Sequence, residues 1–192
     1  MSGRITLPVA VLDASVLVPT WSRKILQTLA SGAPPRYEPV WSEWIIAETW
    51  RVLTDRLARA GVARSEIADR ANRMLRYLLP VMRLVSVRAL PPAASSSPLI
   101  DPSDALVWAT AVIAGAGYIV SHNTAHFPPL AHEYAVVQDR NCVVHRHVHQ
   151  GVECLTAIEF IEDVLGEDAA AVYGRPLPAA GLIRSHRAIT PA

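Results

Sequence analysis

The stretch Pro8-Val9-Ala10-Val11-Leu12-Asp13-Ala14-Ser15-Val16-Leu17 decides the reading of this chain. Residues 8–12 are short, apolar and rich in valine, the pattern of a strand buried on both faces in a parallel sheet. The run ends on a carboxylate. An ionised acid at the tip of a buried strand costs free energy unless a cation or hydrogen bonds compensate it. Asp13 therefore reads either as a metal ligand or as a cap accepting from the Ser15 or Val16 N–H.

Downstream, Ser22–Ala30 places Ile25, Leu26 and Leu29 at helical spacing, and Gly32-Ala33-Pro34-Pro35 ends that helix. Tyr37–Trp41 reads as a second strand. Ser42 is suited to cap a helix running to about Ala60, with Gly61 as its stop. Ser65 is expected to cap the next helix, Glu66–Leu79, closed by Pro80. Val81–Val87 reads as a third strand, and Leu90 to Pro98 as a loop. In Asp101-Pro102-Ser103-Asp104, Asp101 can serve as N-cap and Pro102 as the first helical residue. That helix runs to about Ala114 and stops at Gly115-Ala116-Gly117. Tyr118–Ser121 is a short strand ending at His122-Asn123. Glu133–Val137 and Cys142–His147 pair as a hairpin, Thr156 caps a helix to Leu165, and the proline-, glycine- and alanine-rich tail from Gly174 reads as irregular. Strands alternating with helices predict an α/β fold with a mainly parallel sheet. Such sheets bind ligands outside the carboxyl ends of their strands. Asp13 and Asn123 fall at two such ends.

The bulk properties bound the function. With 192 residues, 51% hydrophobic and 18% charged, the chain suits one globular domain. A net charge of +1 does not announce a nucleic-acid binder. Lys24 is the only lysine, and many arginines fall between Arg51 and Arg88. Arginine suits bidentate phosphate contacts, although dispersed arginines are also ordinary on solvated helix faces. Cys142 and Cys154 form no C-x-x-C pair, so neither a zinc site nor a disulfide framework is implied. No apolar run is long enough to span a bilayer, and the N-terminus lacks a signal pattern, so a soluble, unexported, cytoplasmic protein without a membrane partner is expected. The chain has no G-x-G-x-x-G after a strand, no G-x-x-x-x-G-K-[ST] and no G-x-S-x-G, which argues against nucleotide-dependent, dinucleotide or serine-hydrolase chemistry.

Two further acids sit in apolar surroundings. Glu48 lies in Trp44-Ile45-Ile46-Ala47-Glu48-Thr49-Trp50; alone it would read as a solvated helix residue. Asp104 shares a helical face with Trp108 and Ala111, whereas Asp101 reads as the cap or an outer-sphere partner; both also favour the helix dipole. Asp13, Glu48 and Asp104, far apart in sequence, suggest a common site for a hard divalent cation such as Mg²⁺. Asn123 and His126 follow the last parallel strand, either as loop residues with local bonds or as groups that hold water, phosphate or a proton. His145, His147 and His149 alternate along a strand, but without an acidic or cysteine partner they read as a solvated strand.

These segments resemble the PIN-domain superfamily of metal-dependent ribonucleases, in particular the VapC-type toxins of bacterial toxin–antitoxin pairs. Val11–Leu17 resembles the first acidic motif, Pro39–Glu48 the second, Asp101–Ala105 the third and Ile119–Pro128 the fourth. The resemblance spans roughly residues 8–165, with Gly151–Leu165 similar to the closing strand and helix. It implies a three-layer fold in which helices flank a short, mainly parallel sheet. Residues 1–165 would form the nuclease domain, with 130–150 as an insertion, and 166–192 a tail. It further implies that Asp13, Glu48 and Asp104 hold Mg²⁺ or Mn²⁺ for hydrolysis of an RNA phosphodiester. Asn123 and His126 would assist, and Ser15, Arg23 and Ser121 would contact phosphate. A homodimer and inhibition by a cognate antitoxin are also implied. Two positions depart from the pattern: His126 stands where aspartate is common, and Ser15 where asparagine is. The first departure leaves open a second class, a catalytically weak PIN fold that binds RNA or antitoxin.

Overall fold

The computed structural model describes residues 6–87, 104–127 and 151–179, together with the backbone of 134–139, 142–149 and 190–191. The first strand, β1 (Val9–Leu12), is followed by a single helical turn, α1 (Ala14–Leu17), and by α2 (Thr20–Ser31). Next come β2 (Glu38–Ser42), α3 (Glu43–Arg59), α4 (Arg64–Arg76) and β3 (Arg83–Val85). The chain continues through α5 (Asp104–Ala114), β4 (Tyr118–Val120) and a 3-10 turn at Thr124–His126. It closes with β5 (Tyr134–Asp139), β6 (Cys142–His149), β7 (Val152–Leu155), α6 (Ala157–Glu159), α7 (Ala169–Tyr173) and β8 (Thr190–Pro191).

Strand order is β3-β2-β1-β4-β7-β6-β5, with β8 pairing β6. The five strands from β3 to β7 are mutually parallel; β6 and β5 continue the sheet antiparallel. The fold is thus α/β with a mainly parallel centre, as the alternation of elements predicts. The region expected as an insertion forms a hairpin at the sheet edge, pairing Tyr134 with His147 and Asp139 with Cys142.

The central strands owe their position to composition. Ala10, Val11, Val40, Ile119, Val120 and Cys154 are all fully buried. A strand covered on both faces has no solvent side and carries no polar alternation. From β1 the chain moves outward to β2 and β3, then returns to lay β4 on the other side of β1. The carboxyl ends of β1 and β4 therefore flank the point where strand order reverses, which opens a crevice in such sheets.

Several local readings are corrected. Ser65 does not cap α4: the helix starts at Arg64, with Ala63 at the cap position and no side-chain bond. Its last turn ends at Arg76 rather than Leu79, and β3 is only three residues long. The helix after Thr156 begins with a capping box, in which Thr156 and Glu159 bond each other's backbone N–H, but turns to π geometry over Phe160–Val164. The tail contributes two residues of strand, Thr190–Pro191, on β6. The proposed cap Asp101 lies outside the described residues.

Candidate functional site

Asp13 follows β1 directly, and its own N–H donates to the Val120 carbonyl of β4, 3.1 Å away. Its side chain caps α1. Oδ2 accepts from the Ser15 N–H at 3.3 Å, the Ser15 hydroxyl at 2.6 Å and the Ser121 hydroxyl at 2.9 Å. Each hydroxyl in turn accepts a backbone N–H from the segment after β4: Ser15 Oγ from His122 at 2.9 Å, Ser121 Oγ from Asn123 at 3.0 Å. A serine has one proton to give, and both protons go to Asp13. The 3.2 Å approach of the two hydroxyl oxygens is therefore a neighbourhood and not a third bond. The carboxylate is held by residues at the ends of both strands. Among the described residues, Oδ1 has no hydrogen-bond partner.

The same segment reaches a second carboxylate. Asp104 opens α5 with its side chain only 15% exposed, and its Oδ2 lies 2.9 Å from His126 Nδ1 in the 3-10 turn. A carboxylate accepts, so Nδ1 is the protonated ring nitrogen and Nε2 is the atom left for other chemistry. Residues 121–126 thus touch both acids, Ser121 at Asp13 and His126 at Asp104.

Glu48 is engaged within its own helix. Its two oxygens receive Arg51 Nη2 at 2.6 Å and Nε at 3.0 Å, one turn along α3. Among the described residues, no group of three histidine, cysteine, aspartate or glutamate side chains lies close enough to hold a metal ion. The donors still suit a hard cation in kind: Asp13 Oδ1 is open, and Asp104 is a second carboxylate. Glu48 would have to leave Arg51. With Glu48 34% and Arg51 60% exposed, solvent screens the pair, so the rearrangement costs little. Arg23 does not point into this cluster; its Nη1 donates to the Leu17 and Val18 carbonyls at 2.8 and 3.0 Å and closes the end of α1.

A model of the PIN domain matches residues 9–125, more than half of the chain. The chain belongs to the PIN domain family. PIN domains are generally nucleases. A chain of the crystal structure of VapBC2 from Rickettsia felis, bound to a DNA fragment from its promoter, is also similar. It is 15% identical, with a TM-score of 0.42, and the match covers 61% of this chain and 89% of that one. No curated protein matches.

The PIN domain match contains Asp13, Glu48, Asp104 and Asn123 and stops immediately before His126. One residue of the cluster escaped the sequence reading. His122 supplies the N–H that orients Ser15, and its ring packs on Trp21 with centroids 5.4 Å apart. Burial pushes its pKa down, and the charge of Asp13 opposes this. The signal was its place beside Asn123; a histidine acting through its backbone carries no signature in residue type. Among the described residues of this PIN domain protein, no helix is long and apolar enough to cross a membrane.

Proposed function

We propose that this chain is a metal-dependent endoribonuclease, the toxin of a type II toxin–antitoxin pair, cleaving RNA phosphodiester bonds with Mg²⁺ or Mn²⁺. The observation that carries this reading is the Asp13 carboxylate, fixed at the strand-order reversal by two hydroxyls while Oδ1 stays open. Asp13, Asp104 and, after release from Arg51, Glu48 would hold the cation. When bound, it supplies charge neutralisation at the phosphate and makes water more acidic. The protein's own groups do the rest. Ser15 and Ser121 keep Asp13 in one rotamer, so little reorganisation accompanies substrate binding. Asp104 orients His126 through Nδ1. In the imidazolium form Nε2 carries a second proton, which it would hand to the departing sugar oxygen, leaving the neutral ring with its proton on Nδ1, or share with a phosphate oxygen. Asn123, exposed at the crevice, is suited to orient water. A cytoplasmic homodimer held inactive by an antitoxin peptide belongs to the same reading, on the strength of the four motifs.

Water as nucleophile leaves no 2′,3′-cyclic phosphate. Mapping the ends of RNA fragments produced with Mn²⁺ tests this; cyclic phosphate ends would mean attack by the ribose 2′-hydroxyl and refute hydrolysis.

The second reading is a catalytically weak binding module, and the engagement of Glu48 by Arg51 favours it. Position 126 separates the two. If a carboxylate is what the site lacks, His126→Asp should raise cleavage by about tenfold or more, within the range expected for one well-placed group. If His126 itself moves the proton, the same change lowers cleavage.

A further inference from the structure

A groove of about 400 Å³ opens beside this site, on the far side of Trp21. Pro19 and Trp21 at the start of α2, Arg56 in the last turn of α3, and Tyr173, Arg175 and Pro176 at the end of α7 wall it. Trp21 is the shared wall: it lines the groove and packs on His122, whose N–H holds the Ser15–Asp13 bond.

The groove is cationic and aromatic together. The Arg175 guanidinium lies 4.4 Å from the centre of the Tyr173 ring and also bonds its hydroxyl. That stack depends on Gly174, whose φ of 72° turns the chain sharply after α7. Five other arginines are neutralised by carboxylates, Arg36 by Glu167, Arg51 by Glu48, Arg70 by Glu66, Arg73 by Asp69 and Arg83 by Glu38, whereas Arg59, Arg64 and Arg76 form no such pair among the described residues. Among the described residues, neither Arg56 nor Arg175 pairs with one. Arg23 is near enough that the charge of Arg56, after burial, pushes its guanidinium pKa down. Positive charge is thus concentrated here without a counter-anion. A guanidinium over an aromatic ring makes a surface on which a nucleobase can stack, and arginines without a carboxylate partner grip phosphate.

We infer that this groove is a nucleotide subsite, in which single-stranded RNA stacks one base on the Arg175–Tyr173 platform and sets a flanking phosphate between Arg56 and Arg175. This rests on the ribonuclease reading, and it assigns the C-terminal segment a part in holding substrate. RNA leaving the Asp13 crevice past His122 would meet the groove next.

The test uses the full chain carrying Asp13→Asn, which the ribonuclease reading expects not to turn substrate over, and a fluorescein-labelled single-stranded RNA of mixed sequence. Binding is followed by anisotropy over a salt series, with and without Arg56→Gln and Arg175→Gln. Both arginines are exposed, so the variants should keep the parent's melting temperature. We expect about tenfold weaker binding, with the slope of log affinity against log salt reduced by roughly 0.7 for each phosphate that is no longer neutralised. In otherwise wild-type protein the two changes should raise KM and leave kcat within about twofold, because the groove binds but does not react. Unchanged affinity and salt slope, with RNA still bound, overturns the subsite and leaves the ribonuclease reading standing. Absence of RNA binding by the parent, with no cleavage by wild-type protein, overturns both. If an acidic peptide binds the groove and RNA does not, its occupant is a protein and the assignment to RNA fails.

Discussion

The Ser121 hydroxyl ties the tip of β4 to the carboxylate at the tip of β1. Its single proton is committed to Asp13, and its lone pair takes the Asn123 N–H. Hydrogen bonds to charged acceptors contribute about 1.5–3 kcal/mol. Ser121→Ala should therefore free Asp13 to sample other rotamers, lowering kcat about tenfold while the Ser15 bond keeps the residue nearby. Wild-type kcat in that variant would mean that the rotamer is set without Ser121. His122 yields a second prediction at this scale. Burial lowers its pKa, so the folded protein binds fewer protons than the unfolded chain once pH drops below about 6.5. Its contribution to stability is complete above that value and is lost as pH falls through it toward the lower folded pKa. His122→Phe should flatten the fall in melting temperature between pH 7 and pH 5 relative to wild type. Equal slopes would show that other groups govern acid sensitivity. The two readings of Asp13, cap and ligand, prove compatible: one oxygen caps and the other stays open. Sequence could not resolve this, since both roles ask for an aspartate at the same place.

At the level of elements, α3 shows what local sequence can and cannot specify. Ser42 was legible as its cap, and its Oγ accepts from the Ile45 N–H at 3.4 Å. It also lies 3.0 Å from the buried Thr110 hydroxyl of α5, a contact across 68 residues that no local pattern announces, although that hydroxyl has a nearer acceptor in the Leu106 carbonyl at 2.7 Å. Ser42→Ala should cost about 1 kcal/mol in urea unfolding, the loss of a helix cap, because the Thr110 hydroxyl keeps the Leu106 carbonyl as acceptor. Thr110→Val should cost less, because the serine keeps its backbone donor. A cost of a few tenths for Ser42→Ala would mean that the cap does not anchor α3. The misplaced start of α4 has a physical reason. Ser65 is a good capper by type, but the chain enters the helix two residues earlier, where Ala63 offers no side-chain cap. The short α7 was missed because five residues, three of them alanine, give no periodicity. Its signal was Asp168, whose side chain accepts from Ala170 and Ala171.

Across the whole molecule, the parallel sheet was the most legible feature, because fully buried strands read as unbroken apolar runs whatever surrounds them. The carboxyl-end placement of Asp13 and Asn123 followed from that alone. The gathering of Asp13 and Asp104 around residues 121–126 did not, since it depends on how β4 returns beside β1. The position of Glu48 was the least legible, because a glutamate in an apolar helix reads alike whether it faces a cation or folds back on Arg51. The central claim, that Asp13 anchors a metal-dependent ribonuclease site, concerns the assembled molecule and is best tested on it. Total RNA should be incubated with wild-type protein and Mg²⁺ or Mn²⁺, beside an EDTA control and Asp13→Asn. The account predicts discrete fragments from wild type, lost with EDTA and lost in a variant that melts as wild type does. Cleavage by Asp13→Asn at the wild-type rate, or undiminished cleavage in EDTA, would contradict it.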